Sequence, residues 1–245
     1  MEPKDRIFVA LDSKDLDEVV RWAKLLGGEV GGFKIGLRTV LRYGVDRLME
    51  ALRGCGPASE NIFVDAKLHD IPSTMAEAAE VIVAHPSVKF FNVHASASYA
   101  GVQAVNAVKR HAKLLAVTVL TSMNDADAWV VYGQGDVAYH VARLAQVAYV
   151  DGEHGADGVI CSAREAGLIK KMFGEKMLTM TPGIRPKWAA KNEQERVTTP
   201  AEAVTNGADY LVIGRPIIAP PEHIGPPVIA SRLIALEIAE ALANR

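Results

Sequence analysis

The chain has 245 residues, about half of them apolar, and a formal net charge of −2. This composition supports a sizeable core, and a near-neutral charge without a long basic run argues against nucleic acid or an anionic membrane as the main partner. The only two cysteines, Cys55 and Cys161, lack metal-ligand spacing, which argues against a disulfide framework and a zinc site. The N-terminus does not resemble a signal peptide and no apolar run reaches membrane-spanning length, so we expect a soluble cytoplasmic protein.

Short apolar runs alternate with amphipathic segments along the whole chain. The runs predict strands at Ile7–Leu11, Gly32–Ile35, Ile62–Leu68, Val88–His94, Leu114–Leu120, Gly158–Cys161, Met177–Thr181 and Tyr210–Ile213. Helical periodicity is clearest at Asp17–Leu26, Met75–Ala84, Ala97–Arg110 and Val228–Ala243. Strands that alternate with helices indicate parallel pairing, and eight such units in a chain of this length predict an α/β fold, a (β/α)8 TIM barrel, as one domain over residues 1–245. A doubly wound open sheet is the alternative, but the first strand lacks the glycine-rich turn of dinucleotide-binding folds.

The most unusual segment is Phe63–Thr74, which reads as a buried strand followed by a turn and a helix. It carries Asp65 and Lys67 where a buried strand usually has apolar residues, and Asp70 follows directly. Because side chains two residues apart share one face of a strand, Asp65 and Lys67 lie side by side. Buried charges are costly unless they are paired, so the three predict either a structural ion network or a site for charge chemistry.

Further polar residues stand where other predicted strands end, which in a barrel is the face that carries active sites. They are Asp12, Lys34, Asn92, His94, Thr121, Ser122, Arg185, Gly214 and Arg215. Asp12 or Asp70 can instead cap a following helix, and Lys34 can extend its ammonium group to the rim. His94 can be a packed, hydrogen-bonded histidine, and His69 is expected to turn away or to pack near the strand end. The joint occurrence of these residues favours a functional site.

The loops after the last two predicted strands have features of a phosphate-binding site. Gly214 and Arg215 precede a helical region, where backbone N–H groups and a guanidinium suit a dianionic phosphate. Arg185 precedes the polar loop Pro186–Thr199, which can close over the phosphate as a lid or remain a solvated loop. The proline-rich segment Ala219–Pro227 is interpreted as a stiff connector.

Eight short stretches, which occur in order along nearly the whole chain, together carry a resemblance to a known family. They are Val9–Asp12, Phe33–Gly36, Asp65–Thr74, Val93–Ala95, Thr118–Ser122, Val159–Ala163, Thr181–Pro186 and Val212–Pro216. With these stretches the chain resembles the orotidine 5′-phosphate decarboxylase family. The D-x-K-x-x-D string alone is weak evidence, but its extension by Ile-Pro-Ser-Thr and the later Pro-Gly-Ile-Arg and Gly-Arg elements make the resemblance specific. It implies a barrel of the ribulose-phosphate-binding type that converts orotidine 5′-phosphate to UMP and carbon dioxide without a cofactor or metal.

The resemblance also implies roles for individual residues. The charged array consists of Lys34, Asp65, Lys67 and Asp70, with Lys67 as the proton donor. The ribose hydroxyls are implied to meet Asp12, Lys34 and Thr74, and the pyrimidine edge to meet Thr121 and Ser122. The phosphate is implied to bind Arg185, Gln194, Gly214 and Arg215, with Gln194 placed by spacing alone. The family's homodimer, in which Asp70 and Thr74 reach into the partner's site, implies a homodimer here.

Two other functions stay open at this point. A magnesium-dependent decarboxylase of the 3-keto-gulonate-6-phosphate type uses the same barrel and the same D-x-K-x-x-D motif, but it needs additional carboxylates at strand ends. The elements Thr121-Ser122 and Ile71-Pro-Ser-Thr74 favour the nucleotide enzyme. A non-catalytic nucleotide-binding barrel is the other alternative, and the costly proximity of Lys67 and Asp65 argues against it.

Overall fold

The protein is described by a computed structural model that covers residues 1–189 and 197–244. Eight parallel strands form a closed barrel in which each strand pairs with its neighbours in sequence and β1 pairs with β8. The strands are β1 (Ile7–Ala10), β2 (Gly32–Gly36), β3 (Ile62–Leu68), β4 (Val88–His94), β5 (Lys113–Val117), β6 (Gly158–Ile160), β7 (Leu178–Thr181) and β8 (Tyr210–Ile213). The predicted (β/α)8 barrel is confirmed, and the open-sheet alternative is wrong. That residues 1–245 form one domain stays a prediction.

Helices surround the barrel and connect its strands. They are α1 (Leu16–Leu26), α2 (Leu37–Tyr43), α3 (Val45–Leu52), α4 (Pro72–Ile82), α5 (Ser98–Val108), α6 (Asp125–Tyr132), α7 (Val137–Tyr149), α8 (Ala163–Phe173), α9 (Pro200–Thr205), α10 (Arg215–Ile218) and α11 (Pro227–Ala243). The N-cap of α1 is Asp15, whose carboxylate accepts a hydrogen bond from the backbone N–H of Asp17. Asp12 therefore does not cap this helix, and the capping interpretation of Asp12 is wrong.

Side chains on each strand alternate between the helix-covered outer face and the barrel interior. On β3, Ile62 and Val64 belong to the core beneath the helices, whereas Phe63 packs inside the barrel. The interior floor is an apolar cluster formed by Phe8, Phe63, Phe90, Leu115 and Met180. The alternation places the next inward side chains, Lys34, Asp65 and Asn92, above this floor. The carboxyl-end rim of the barrel therefore receives the polar residues.

Candidate active site

Four charged side chains, from the neighbouring strands β2 and β3 and from the loop after β1, form a continuous ion-pair array. The Asp65 carboxylate lies between two ammonium groups, 2.6 Å from Lys67 Nζ and 3.8 Å from Lys34 Nζ. Lys34 Nζ also lies 2.7 Å from Asp12 Oδ2. Lys34 is buried and Asp65 is largely buried, so these charges are stabilised mainly by one another. The structure brings the predicted site residues Asp12, Lys34, Asp65 and Lys67 together, and their functional roles stay a prediction.

Gly36 provides the space for this array. A β-carbon at Gly36 would collide with the Asp12 carboxylate and would lie 3.0 Å from Lys34 Nζ. Any larger residue at the end of β2 would therefore displace one partner of the Asp12–Lys34 pair. The glycine lets two charged groups approach the backbone closely.

The electrostatics of the array keep Asp65 ionised. Burial raises the pKa of the Asp65 carboxyl, but the nearby ammonium groups of Lys34 and Lys67 and the hydrogen bonds from Lys67 and Asn92 outweigh burial. The net result is a pKa below the usual value of a carboxyl group. A negative charge is thus maintained beside Lys67 at neutral pH.

The backbone of Lys67 is unusual for a non-glycine residue. Its φ is +53°, in the left-handed region, which costs on the order of 1–3 kcal/mol and persists only when surrounding contacts enforce it. The backbone N–H of Lys67 donates a hydrogen bond to Asn92 Oδ1 at 2.7 Å, and Lys67 Nζ donates to Asp65. Both ends of Lys67 are therefore held by polar contacts.

Asp70 and Thr74 lie outside this array. Both are exposed, and Asp70 Oδ1 accepts a hydrogen bond from the adjacent backbone N–H of Ile71. Ile71, and not Asp70, is the N-cap of α4, so the capping interpretation of Asp70 is wrong. Within residues 1–189 and 197–244, Asp70 takes part in no ion pair. One chain therefore brings three members of the predicted Lys-Asp-Lys-Asp array together and leaves the fourth at the surface.

Two adjoining cavities open beside the array. The first, of about 160 Å³, has mostly apolar walls and is lined by Phe63, Asp65, Lys67, Val117, Val119, Leu120, Thr121, Ile160, Cys161, Pro182 and Val212. The second, of about 480 Å³, is polar and is lined by Ala10, Asp12, Lys34, Arg38, Pro182, Gly183, Arg185, Val212, Gly214, Arg215 and Ile218. Because Pro182 and Val212 line both, the cavities form one groove with an apolar end and a cationic end. This shape suits a ligand with a flat ring and an anionic group.

The predicted phosphate-binding residues occupy the cationic end, as far as the structure describes them. Arg185 is 9% exposed, its guanidinium donates a hydrogen bond to the Ile184 carbonyl at 2.8 Å, and its backbone N–H donates to Thr198 at 2.9 Å. Gly214 joins β8 to α10, which begins at Arg215, and both residues line the same polar cavity as Arg185. Gln194 and the interior of the predicted lid lie outside the described residues.

The remaining candidates separate into lining and peripheral residues. Thr121 lines the apolar cavity, whereas Ser122 is exposed and does not line it. The half-buried His94 ring lies 5.3 Å from the ring of His69, and Ser96 contacts His69 at 3.3 Å. Burial lowers the pKa of His94, and His69 and Lys67 lower it further, so its ring is neutral at neutral pH. His94 thus contacts an exposed His69 near the strand end, and its interpretation as a packed histidine stays a prediction.

Comparison with known proteins agrees with this geometry. The family model described as "Orotidine 5'-phosphate decarboxylase / HUMPS family" matches residues 5–224. The chain belongs to this family. It is 40% identical over 241 residues to the orotidine 5′-phosphate decarboxylase of Rhodospirillum rubrum, covering 95% of this chain and 93% of that protein. It is 41% identical over 243 residues to the one of Rhodopseudomonas palustris, covering 97% and 95%.

A solved structure extends the comparison to three dimensions. The crystal structure of orotidine 5′-phosphate decarboxylase from Lactobacillus acidophilus superposes with a TM-score of 0.76 at 29% identity, covering 95% of this chain and 98% of that one. The family resemblance inferred from the sequence is therefore confirmed, and the barrel of this chain is shared with a member of the orotidine 5′-phosphate decarboxylase / HUMPS family.

Two residues at the site have no individual role that the sequence predicts, although Asn92 is among the polar residues expected at the strand ends. Asn92 contacts both Asp65 and Lys67, and the Arg38 guanidinium donates to the Asp12 carbonyl at 2.9 Å and lines the polar cavity. A single buried asparagine within the apolar run of β4 was the available signal for the first. Arg38 lies four residues after Lys34, on α2, and the direction of its side chain depends on the orientation of that helix relative to the barrel rim.

Two observations concern metals and membranes. Across residues 1–189 and 197–244, no three His, Cys, Asp or Glu side chains are grouped to hold a metal ion. In the same ranges, none of the helices combines the length and the apolar character needed to span a bilayer. The cofactor-free reaction and the cytoplasmic location stay predictions.

Proposed function

We propose that the protein is a cofactor-independent orotidine 5′-phosphate decarboxylase, which converts orotidine 5′-phosphate to UMP and carbon dioxide in the last step of UMP synthesis. The observation that carries the proposal is the position of Lys67 and Asp65 at the end of an apolar cavity that continues into a cationic one. Family membership and relatives of about the same length that carry this name support it.

The groove supports one orientation of the substrate. The flat pyrimidine enters the apolar cavity, with its edge toward Thr121. The phosphate enters the cationic cavity, where Arg185, Gly214 and Arg215 bind it together with Gln194. The ribose then lies between the two cavities, beside the Asp12–Lys34 pair, where Thr74 of the partner subunit contacts it. This orientation points C6 of the ring toward Lys67.

The chemistry requires electrostatic stabilisation of a carbanion. When the bond between C6 and the carboxylate breaks, carbon dioxide leaves and the electron pair stays on C6, where the ring offers no electron sink. The Lys67 ammonium stabilises this charge as it develops and then transfers a proton to C6, giving UMP and a neutral Lys67. Lys67 regains its proton from solvent. Asp65, together with Asp70 of the partner subunit, holds the ammonium charged and oriented toward C6.

The size of the ground-state repulsion, compared with the total reduction of the barrier, decides how catalysis is divided between ground-state and transition-state effects. Asp65 close to the substrate carboxylate disfavours the ground state, but two unit charges 4 Å apart at an effective dielectric of 20 interact by only about 4 kcal/mol. A very efficient enzyme lowers the barrier by up to about 23 kcal/mol. We therefore assign the larger share to stabilisation of the transition state, assisted by binding energy from the remote phosphate.

We also propose a homodimer in which Asp70 and Thr74 of each chain complete the partner's site. Both residues are exposed beside Ile71, which is 62% exposed, so this rim presents polar and apolar groups to a second copy. A carboxylate from the partner would give Lys67 its second negative neighbour. In this arrangement the segment after β3 serves two active sites.

The loss of orotidylate absorbance on addition of the protein tests the function. We expect turnover that EDTA does not reduce, with UMP and carbon dioxide formed in equal amounts. Turnover that EDTA abolishes would indicate the magnesium-dependent alternative. Binding of UMP without turnover would indicate a non-catalytic nucleotide-binding barrel and would overturn the proposal.

A further inference from the structure

The pairing of β3 with β4 is irregular at the site. Val64 pairs with Phe91, and the next pair joins Leu68 to Val93. Residues 65–67 of β3 therefore lie opposite the single residue Asn92, and the regular ladder of backbone hydrogen bonds is interrupted there. The bulge coincides with the left-handed backbone of Lys67. A polar group has to replace the missing ladder partners, because buried backbone groups are rarely left unpaired.

The Asn92 side chain supplies that polar group. Asn92 is 0% exposed, and its Oδ1 accepts the backbone N–H of Lys67 at 2.7 Å. Its Nδ2 donates to Asp65 Oδ1, also at 2.7 Å, the same oxygen that Lys67 Nζ contacts at 2.6 Å. One amide thus ties the backbone of the proposed proton donor to the carboxylate that pairs with its ammonium.

We propose that Asn92 is a positioning residue that fixes Lys67 and Asp65 in the reactive geometry by bridging the bulge in β3. The expected effect on kcat rests on the proposed function, whereas the expected effect on the geometry of Lys67 does not. An amide is required because one group must accept from an N–H and donate to a carboxylate at the same time. Leucine, of similar size, can do neither, and an ionised carboxyl group can only accept.

The first test is Asn92→Leu. We expect kcat for orotidine 5′-phosphate to fall by about 100-fold, the effect of a displacement of about 1 Å at the reacting group. KM and the affinity for UMP should change little, because Asn92 does not line either cavity. The matched control is Thr179→Val on β7, which removes the buried side-chain hydrogen bonds to Gly207 and Asp209 and should lower stability while leaving kcat unchanged.

The second test is the pH profile of Asn92→Asp, which also covers the case in which the leucine variant does not fold. The new carboxyl would face Asp65 and Lys67 on β3, with Lys34 on β2 and the His69–His94 pair nearby. Two adjacent carboxyl groups cannot both ionise easily, so one pKa rises. In its protonated form the new group donates to Asp65 and accepts from Lys67 as the amide does. The ratio of variant to wild-type kcat should therefore rise as pH falls, and that ratio should stay flat for Asn92→Leu.

A crystal structure of Asn92→Leu separates the inference from the proposed function. We expect the φ of Lys67 to leave the left-handed region or the Lys67–Asp65 contact to lengthen. An unchanged Lys67 in that structure, a kcat equal to that of the wild type, or a flat pH ratio for Asn92→Asp would each overturn the inference. A wild-type protein without turnover would overturn the proposed function, and the structure of the variant would then decide the role of Asn92 alone.

Discussion

Lys67 is the residue on which the proposed chemistry depends most, because its ammonium borders the apolar cavity and contacts Asp65. Replacing it by alanine removes both the electrostatic stabilisation and the proton donor. We expect Lys67→Ala to reduce kcat by at least about 10⁴-fold, while calorimetric affinity for UMP stays largely intact. Lys113→Ala is the matched control, since Lys113 is exposed at the amino end of β5, away from the rim. Near-normal turnover in Lys67→Ala would show that another group protonates C6.

Asp65 provides a prediction about pH and stability. Its pKa is lowered in the folded chain, so its ionisation stabilises the fold above the unfolded-state pKa of about 3.9 and ceases to do so as pH falls through the lower folded value. We expect Asp65→Asn to be less stable than the wild type at neutral pH, because Lys34 and Lys67 lose their shared partner. The difference in unfolding free energy between the wild type and Asp65→Asn, measured by urea denaturation, should narrow as the pH falls below about 3.9 toward the folded-state pKa of Asp65. A difference that widens in acid would contradict the ion-pair assignment.

Individual site residues differ in how far the sequence predicts them. Asp65 and Lys67 follow from the two-residue periodicity of a strand, and Lys34 follows from its charge within an apolar run; neither needs knowledge of neighbouring strands. The role of Asn92 depends on a shift in register between β3 and β4, which no periodicity within one strand encodes. The exposed position of Asp70 depends on how the chain turns after β3.

At the scale of elements, the predicted strands overlap the observed ones because both faces of a parallel barrel strand are buried and apolar. The fifth strand shows the limit of this rule. The apolar run predicts a strand to Leu120, whereas β5 ends at Val117. Val119 and Leu120 are apolar because they line the cavity beside Lys67, not because they continue the strand. An apolar run therefore marks either a buried strand or the wall of a cavity.

Helix α9 provides a prediction about an element. Its N-cap Thr199 accepts the Glu202 backbone N–H at 3.2 Å, and the Glu202 carboxylate accepts the Thr199 N–H at 2.9 Å. Thr199→Ala removes the first bond and should cost about 1 kcal/mol of unfolding free energy. For a chain of this size that corresponds to a fall in Tm of about 2–4 °C, measurable by calorimetry. Thr205→Ala, at the exposed end of the same helix, is the control and should leave Tm nearly unchanged. Equal shifts in both variants would show that the cap is not the cause.

At the scale of the whole molecule, closure of the barrel explains why distant segments meet. Pairing of β1 with β8 brings Asp12 and Arg215 to the same polar cavity, although about 200 residues separate them. Asp70 does not join them, because its turn directs it to the surface. In the proposed homodimer, a second chain supplies the carboxylate that does not join the array within one chain. This is a statement about assembly, and only an experiment with two chains tests it.

Mixing two inactive variants is that experiment. In a heterodimer of Lys67→Ala with Asp70→Ala, one site combines an intact Lys67 with an intact Asp70 from the partner, and the other site lacks both. Random exchange of equal amounts makes half of the dimers heterodimers, so activity should return to about one quarter of the wild-type value. A mixture of Lys67→Ala with Lys67→Ala,Asp70→Ala is the control and should stay inactive, because no chain in it carries Lys67. If native mass spectrometry shows exchange and activity does not return, Asp70 acts within its own chain and the shared site is disproved.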